Sequence, residues 1–215
     1  MYKINLITHP LVEHYLSILR NKDTNYSCFK QSVDNISYVL ASILYTKLDL
    51  NSVRIKTPLK IARGYIIGDD VVLLPILRAG LGMMEGFSKL YPKAMVSHIG
   101  IYRNEKTLQP VRYYFKFPRI KNQNHLKIFV LDPMIATGGS VIYTIEELLK
   151  RNCKNIYIVS LLCAPEGLKA IDNKFHKLLN KELFIYTCSV DEKLNRFGYI
   201  LPGLGDAGDR LFGTI

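Results

Sequence analysis

The sequence predicts an α/β protein: a mainly parallel, twisted sheet with helices on both faces, preceded by N-terminal helices and interrupted by a polar flap. Three observations predict it. From residue 71 onward, short apolar runs suited to inner strands alternate with segments of helical period. The residues nearest the N-terminus carry helical periodicity alone. Arg78, Arg103 and Asp132 each follow an apolar run, at the carboxyl ends of strands where open parallel sheets bind ligands.

Leu11, Val12, Tyr15, Leu16 and Leu19 share one face of a first helix. Asp23-Thr24 reads as the start signal of a second, in which Phe29, Val33, Ile36, Leu40, Ile43 and Leu44 recur at spacings of three and four. Both stripes read as core. The alternation then pairs a strand at 71–74 with a helix at 81–90, and a strand at 128–131 with a helix at 141–149. A strand at 156–162 precedes a helix opened by Pro165 and Glu166, and 183–186 forms the last strand. Units of this kind require parallel pairing with both sheet faces covered. Residues 103–119 are the one long polar interruption, with Tyr113, Tyr114, Phe115 and Phe117 set among charges. Such a segment reads as a mobile flap over a site or as a solvent-facing hairpin. No repeat, low-complexity tract or linker divides the chain, so residues 1–215 read as a single domain. A domain this size buries roughly 70% of its unfolded surface and needs no disulfide staple.

Composition narrows the setting. Cys28, Cys153, Cys163 and Cys188 form neither a C-x-x-C pair nor a zinc spacing, so they read as reduced, mostly buried thiols in a reducing compartment. The five histidines show no metal pattern. With no apolar stretch of 18 residues and no cleavable leader pattern, the chain is expected to be soluble, in cytoplasm or an organelle stroma, with no membrane partner. A formal charge of +11 favours an anionic ligand or partner, although solvated lysines supply most of it.

The sharpest signal is residues 128–140, Ile-Phe-Val-Leu-Asp-Pro-Met-Ile-Ala-Thr-Gly-Gly-Ser. A buried strand runs out into an acid and then into small residues that open a helix. Thr137, Gly138, Gly139 and Ser140 supply two hydroxyls, close backbone approach and free helix N–H groups, a combination that favours a phosphate. A β-branched side chain at Gly139 is expected to fill the phosphate space and to oppose the backbone shape. The plainer alternative is a strand-to-helix turn with a serine N-cap. Asp132 sits too far back to cap that helix and suits sugar hydroxyls. No P-loop and no G-x-G-x-x-G after a strand is present.

Asp132 followed by Thr137-Gly-Gly-Ser140 resembles the ribose-phosphate loop of the type I phosphoribosyltransferases. Many of them carry two acids before the loop. Here Pro133 replaces the second, which is similar to the uracil phosphoribosyltransferase branch. Residues 72–86, 101–110 and 198–214 carry the same resemblance, in family order, with His9-Pro10-Leu11 fitting the start. The resemblance implies a type I phosphoribosyltransferase fold and transfer from 5-phosphoribosyl 1-diphosphate to N1 of uracil. It favours the flap for 103–119.

By this resemblance Arg78, Arg103, Asp132, Pro133, Met134, Ile135, Ala136, the 137–140 residues and Asp206 contact the phosphoribosyl donor. Arg103 and Asp206 would be catalytic. Ile200, Gly205, Asp206 and Ala207 would hold uracil. Mg2+ would arrive largely on the substrate diphosphate, with Asp206 nearby. GTP is a candidate effector and a homodimer or higher homo-oligomer the expected assembly, with no nucleic-acid partner. Taken alone, Arg78 after an apolar strand could be a structural ion pair, Arg103 a solvated loop residue and 200–207 a C-terminal turn. Two competing readings are an RNA-binding regulator using the basic, aromatic stretch 112–119 and a transferase for another base.

Overall fold

In the computed structural model the described residues are 4–103, 110–120 and 123–214. A two-residue strand, β1 (Asn5–Leu6), leads into α1 (Pro10–Arg20) and α2 (Tyr26–Leu44). The hairpin β2 (Leu50–Lys56) and β3 (Ile61–Ile67) follows, and then the first long inner strand, β4 (Asp70–Leu77), with α3 (Leu81–Leu90). Next come β5 (Met95–Val96), β6 (His98–Arg103) and β7 (Pro110–Lys116). β8 (Leu126–Leu131) and the short β9 (Met134–Ile135) precede α4 (Gly139–Leu149). The chain closes through β10 (Ile156–Cys163), α5 (Pro165–Phe175), β11 (Leu183–Val190), β12 (Lys193–Leu194), β13 (Ile200–Leu201) and α6 (Ala207–Phe212).

The main sheet runs in the order β1-β11-β10-β8-β4-β6-β7, parallel throughout except for β7. Its inner strands are apolar on both faces, with all eight residues of β10 buried. Side-chain alternation divides the core in two. Val71, Leu73, Phe129, Leu131 and Val159 pack with α1, α2 and α3, whereas Val72, Leu74, Ile128, Val130 and Ile158 pack with α4 and α5. From β4 the chain moves to one side through α3 to β6, and from β8 it moves to the other through α4 to β10. Strand order therefore reverses between β4 and β8, whose carboxyl ends frame the crevice where such sheets bind ligands.

Phe129 anchors the first core layer. It is fully buried, with ring centroids 5.5 Å from Tyr45, 6.0 Å from Phe87 and 5.1 Å from Tyr157. Phe129→Ala is expected to cost about 3–5 kcal/mol. The check is urea unfolding, where the midpoint should fall with an unchanged slope; a loss under ~1 kcal/mol would contradict the packing assigned to it.

Two sequence expectations change in detail, and the thiols are mostly buried as expected. The second helix begins at Tyr26, capped by Asn25, whose Oδ1 accepts from the Cys28 N–H at 2.9 Å, so Asp23-Thr24 lies just before the start. Thr24 instead donates its hydroxyl to the Ile18 carbonyl at 2.6 Å. Leu11 is exposed, because it stands in the first turn of α1 at the margin of the buried stripe Val12, Leu16, Leu19. Cys28 is exposed as well, and Cys153, Cys163 and Cys188 are the buried thiols.

Of the polar interruption at 103–119, Arg103 ends β6 and residues 110–116 form β7, antiparallel to β6, with residues 104–109 outside the described part. Phe115 and Phe117 pack on the α4 side, Arg112 pairs with Glu147 at 2.5 Å, and Arg151 stacks over Phe115 at 4.6 Å. A further hairpin, β2–β3, carries no buried residue and exposes Leu50, Ile55, Ile61, Tyr65 and Ile66.

Candidate active site

β8 delivers Asp132 to the switch point, and the loop that follows is tied down along its length. The Pro133 carbonyl accepts from both Leu161 and Leu162 N–H at 3.0 Å, β9 pairs with the end of β10, and the Ile135 carbonyl accepts from Ala164 N–H at 2.8 Å. Gly138 then turns the chain in the left-handed region, φ 79°, and caps α4 without any side-chain acceptor. The serine-capped alternative is thereby excluded, since Ser140 lies inside the helix. The first-turn N–H groups of α4 lack a capping partner, and anions favour such a terminus. Asp132 and residues 134–141 line a hollow of about 90 Å3 here. Pro133 does not line it. Its part is to hold the loop against β10.

The loop after β4 stands beside this one. A Cβ on Gly80 would meet the Leu131 carbonyl at 2.3 Å, so the two loops touch backbone to backbone and glycine is required. The Leu77–Arg78 peptide is cis. Arg78 reaches Asp209 at 3.4 Å and lies over the Phe212 ring at 5.9 Å, with its side chain 59% exposed. The structural ion pair weighed from sequence therefore exists, but exposed pairs of this length contribute ~0–1 kcal/mol, and an incoming phosphate can displace it. β6 runs parallel to β4, so its last residue, Arg103, ends at the same edge of the sheet. The Arg103 side chain lies outside the described residues.

The third wall is the segment after β12. Ala79, Met134, Ala136 and residues 198–200 and 205–208 enclose a hollow of about 230 Å3. Met134 and Ala136 belong to both hollows, so the two adjoin. Ile200 and Ala207 are buried, Gly205 is left-handed with φ 81°, and Asp206 is exposed. Asp206 also caps α6, its Oδ1 accepting from Asp209 N–H at 2.9 Å. Sequence reasoning missed that cap and missed Asp209; an acid three residues after Asp206 was the available sign. It also missed Gly167, where a Cβ would meet the Ala136 carbonyl at 2.4 Å, so α5 presses directly on the loop between β9 and α4.

Asp132 is the electrostatic outlier. Burial pushes its carboxyl up to about 7, opposed only by a long bond from Met134 N–H at 3.4 Å. An acid displaced by burial in a cleft is a candidate functional group.

A hollow at a helix N-terminus on the switch point of a mainly parallel sheet, an acid at its rim and a second hollow adjoining it fit the type I phosphoribosyltransferase class. A family profile described as uracil phosphoribosyltransferase matches residues 6–214. Uracil phosphoribosyltransferases of Streptococcus suis and Streptococcus pneumoniae are 48% and 47% identical over 215 residues, covering all of each chain. The solved AQ2163 protein of Aquifex aeolicus superposes with a TM-score of 0.88 at 37% identity, over 97% of both chains. The chain belongs to the uracil phosphoribosyltransferase family.

Proposed function

We propose that the protein transfers the phosphoribosyl group of 5-phosphoribosyl 1-diphosphate to N1 of uracil, giving UMP and diphosphate, as a step of pyrimidine salvage. The observation that carries this reading is the shared wall, Met134 and Ala136, between the anion cradle and the base hollow. A donor with its 5′-phosphate on residues 137–140 and its ribose on Asp132 places C1′ toward the second hollow. N1 of uracil attacks C1′, the bond from C1′ to the diphosphate oxygen breaks, and the N1 proton passes to solvent. Arg78 and Arg103 hold the departing diphosphate, whose charge grows as the bond breaks. Backbone groups of 200–207 read the base, because a wrong base leaves one of them unpaired, a loss of roughly 1–3 kcal/mol. The flap read from sequence over 103–119 would keep water from the donor, but its described part, β7, is paired to β6 and packed against the α4 side, and residues 104–109 lie outside the described residues.

Among the described residues no cluster of three His, Cys, Asp or Glu forms a metal cage. One exposed carboxylate, Asp206, beside the base hollow suits Mg2+ held mostly by diphosphate and water. When bound, the ion would neutralise diphosphate charge. GTP acts as an effector in this reading, which rates with and without GTP test. The apolar, unburied β2–β3 hairpin supports a homodimer or larger assembly, which sedimentation tests. Reduced thiols support a reducing compartment, cytoplasm or stroma; among the described residues no helix is long and apolar enough to cross a membrane. The enzyme reading is favoured over an RNA-binding one because Phe115 and Phe117 of the basic stretch pack inward and Arg112 is paired with Glu147.

Incubation with donor and uracil should yield UMP and diphosphate in equal amounts. Diphosphate without UMP would make the protein a hydrolase and overturn the reading.

The Asp132 carboxyl gives a pH dependence. Its ionised form accepts the ribose hydroxyls, so kcat/KM for the donor should rise with pH through about 7, and Asp132→Asn should flatten that limb to what the donor's own phosphates contribute. An unchanged profile in the variant would contradict the assignment. The sign for stability is opposite. The folded state holds this proton more tightly than the unfolded chain, so the group's contribution falls as pH rises from 3.8 to about 7.

A further inference from the structure

The segment between β12 and α6 makes no long ladder of its own, β13 having only two residues, and three of its glycines, Gly198, Gly203 and Gly205, are left-handed. What fixes it comes from behind, away from the base hollow. Gly203 is held by both backbone groups: its N–H donates to Asp191 Oδ2 at 2.9 Å, and its carbonyl accepts from Arg20 Nη1 at 3.0 Å. Arg20 and Asp191 close a bidentate pair, Nη1 to Oδ2 at 2.7 Å and Nη2 to Oδ1 at 2.6 Å, and the Ser189 hydroxyl donates to Oδ1 at 2.9 Å. One residue further on, the Leu204 carbonyl accepts from Arg210 Nη1 at 2.8 Å. That guanidinium is anchored on the Leu19 and Asn21 carbonyls at 2.6 and 2.8 Å and stacks on Phe29 at 4.3 Å.

None of Arg20, Asp191 and Arg210 lines the base hollow. The Asp191 side chain is only 2% exposed. Burial pushes its carboxyl up, but the bonds from Arg20, Gly203 and Ser189 outweigh this and hold it below the ordinary value, so it stays charged. A buried ion pair is a poor source of stability compared with apolar packing, and its best-attested use is to specify one conformation. Here the conformation specified is that of Gly203 and Leu204, immediately before Gly205, Asp206 and Ala207. A Cβ on Gly203 would meet the Ile200 carbonyl at 2.2 Å, so the turn is as tight as backbone allows.

We propose that Arg20, Asp191 and Arg210 are positioning residues for base recognition, fixing Gly203 and Leu204 so that the backbone of 205–207 meets uracil in one geometry. The inference rests on reading 200–207 as the base site. None of the three touches substrate. Their loss therefore loosens the base and spares the donor, whose cradle lies on β8 and α4.

Asp191→Asn is the test, because asparagine keeps the shape but has a single acceptor oxygen for bonds that now use two. KM for uracil should rise by at least ~10-fold, the loss of about one well-made bond. KM for the donor should stay within about twofold, and the uracil-over-cytosine ratio of kcat/KM should fall. A merely destabilising change would reduce the amount of active protein and leave both KM values alone. Unchanged uracil KM, or a parallel rise in both constants, overturns the inference. Should Asp191→Asn fail to fold, Ser189→Ala carries the same test at about two- to threefold amplitude in uracil KM alone, and no change there overturns it. Ala207→Leu, in the lining of the hollow, separates the two ideas. If it leaves uracil KM intact, the base-site reading fails; if it raises that KM while Asp191→Asn does not, the positioning inference fails.

Discussion

Gly139→Val is expected to abolish donor binding while leaving the protein folded. Gly139 is the first residue of α4, and a Cβ there meets only the Thr137 hydroxyl, at 3.8 Å, so the side chain enters open space. That space is part of the 90 Å3 hollow that the proposed function assigns to the 5′-phosphate. The expectation from sequence that the backbone itself would oppose a β-branched residue does not hold. The left-handed position is Gly138, φ 79°, where a Cβ would also meet the Gly167 carbonyl at 2.9 Å. Valine in the first turn of a helix costs well under ~1 kcal/mol, so urea unfolding should change little. Loss of the cradle should weaken donor binding by more than ~100-fold, since several charge-assisted bonds of about 1.5–3 kcal/mol each are blocked together. Calorimetric titration with the donor is the check, and near-normal affinity in a folded variant would contradict the cradle.

The second large effect is expected at Asp206. Because this residue caps α6, many substitutions there would confuse folding with catalysis, but asparagine caps about as well as aspartate. Asp206→Asn therefore removes charge with the helix start intact. On the proposed reading this carboxylate stands beside the ribosyl centre and favours positive charge developing there, so turnover should fall by at least ~10-fold, about 1.4 kcal/mol of barrier. Uracil should remain the preferred base if backbone groups read it. Intact turnover with cytosine accepted would instead make Asp206 a side-chain selector of the base.

Most of the sheet and its crossovers were legible because buried parallel strands are short continuous apolar runs, and Ile128, Val130, Ile156 and Ile158 form such runs. The candidate cradle could be read from sequence because its groups are backbone N–H and hydroxyls next to one another in the chain. The β2–β3 hairpin was not. Its apolar residues stand on exposed surfaces, so neither a period of 2 with a buried face nor a helical period marks it. The Arg20–Asp191–Gly203 contacts were illegible for another reason. They join residues 171 and 183 positions apart, a proximity that only the packing of α1 against β11 creates. The Asp209 partner of Arg78 is hidden likewise, 131 positions away.

On the proposed reading one continuous crevice holds the donor at residues 132–140 and uracil at 200–207. Diphosphate release from the donor, measured with uracil, with cytosine, with guanine and with no base, tests it most directly. Release that requires uracil and leaves the other three at background is the result the account predicts. Release that is equal without base, or supported as well by cytosine or guanine, would contradict it.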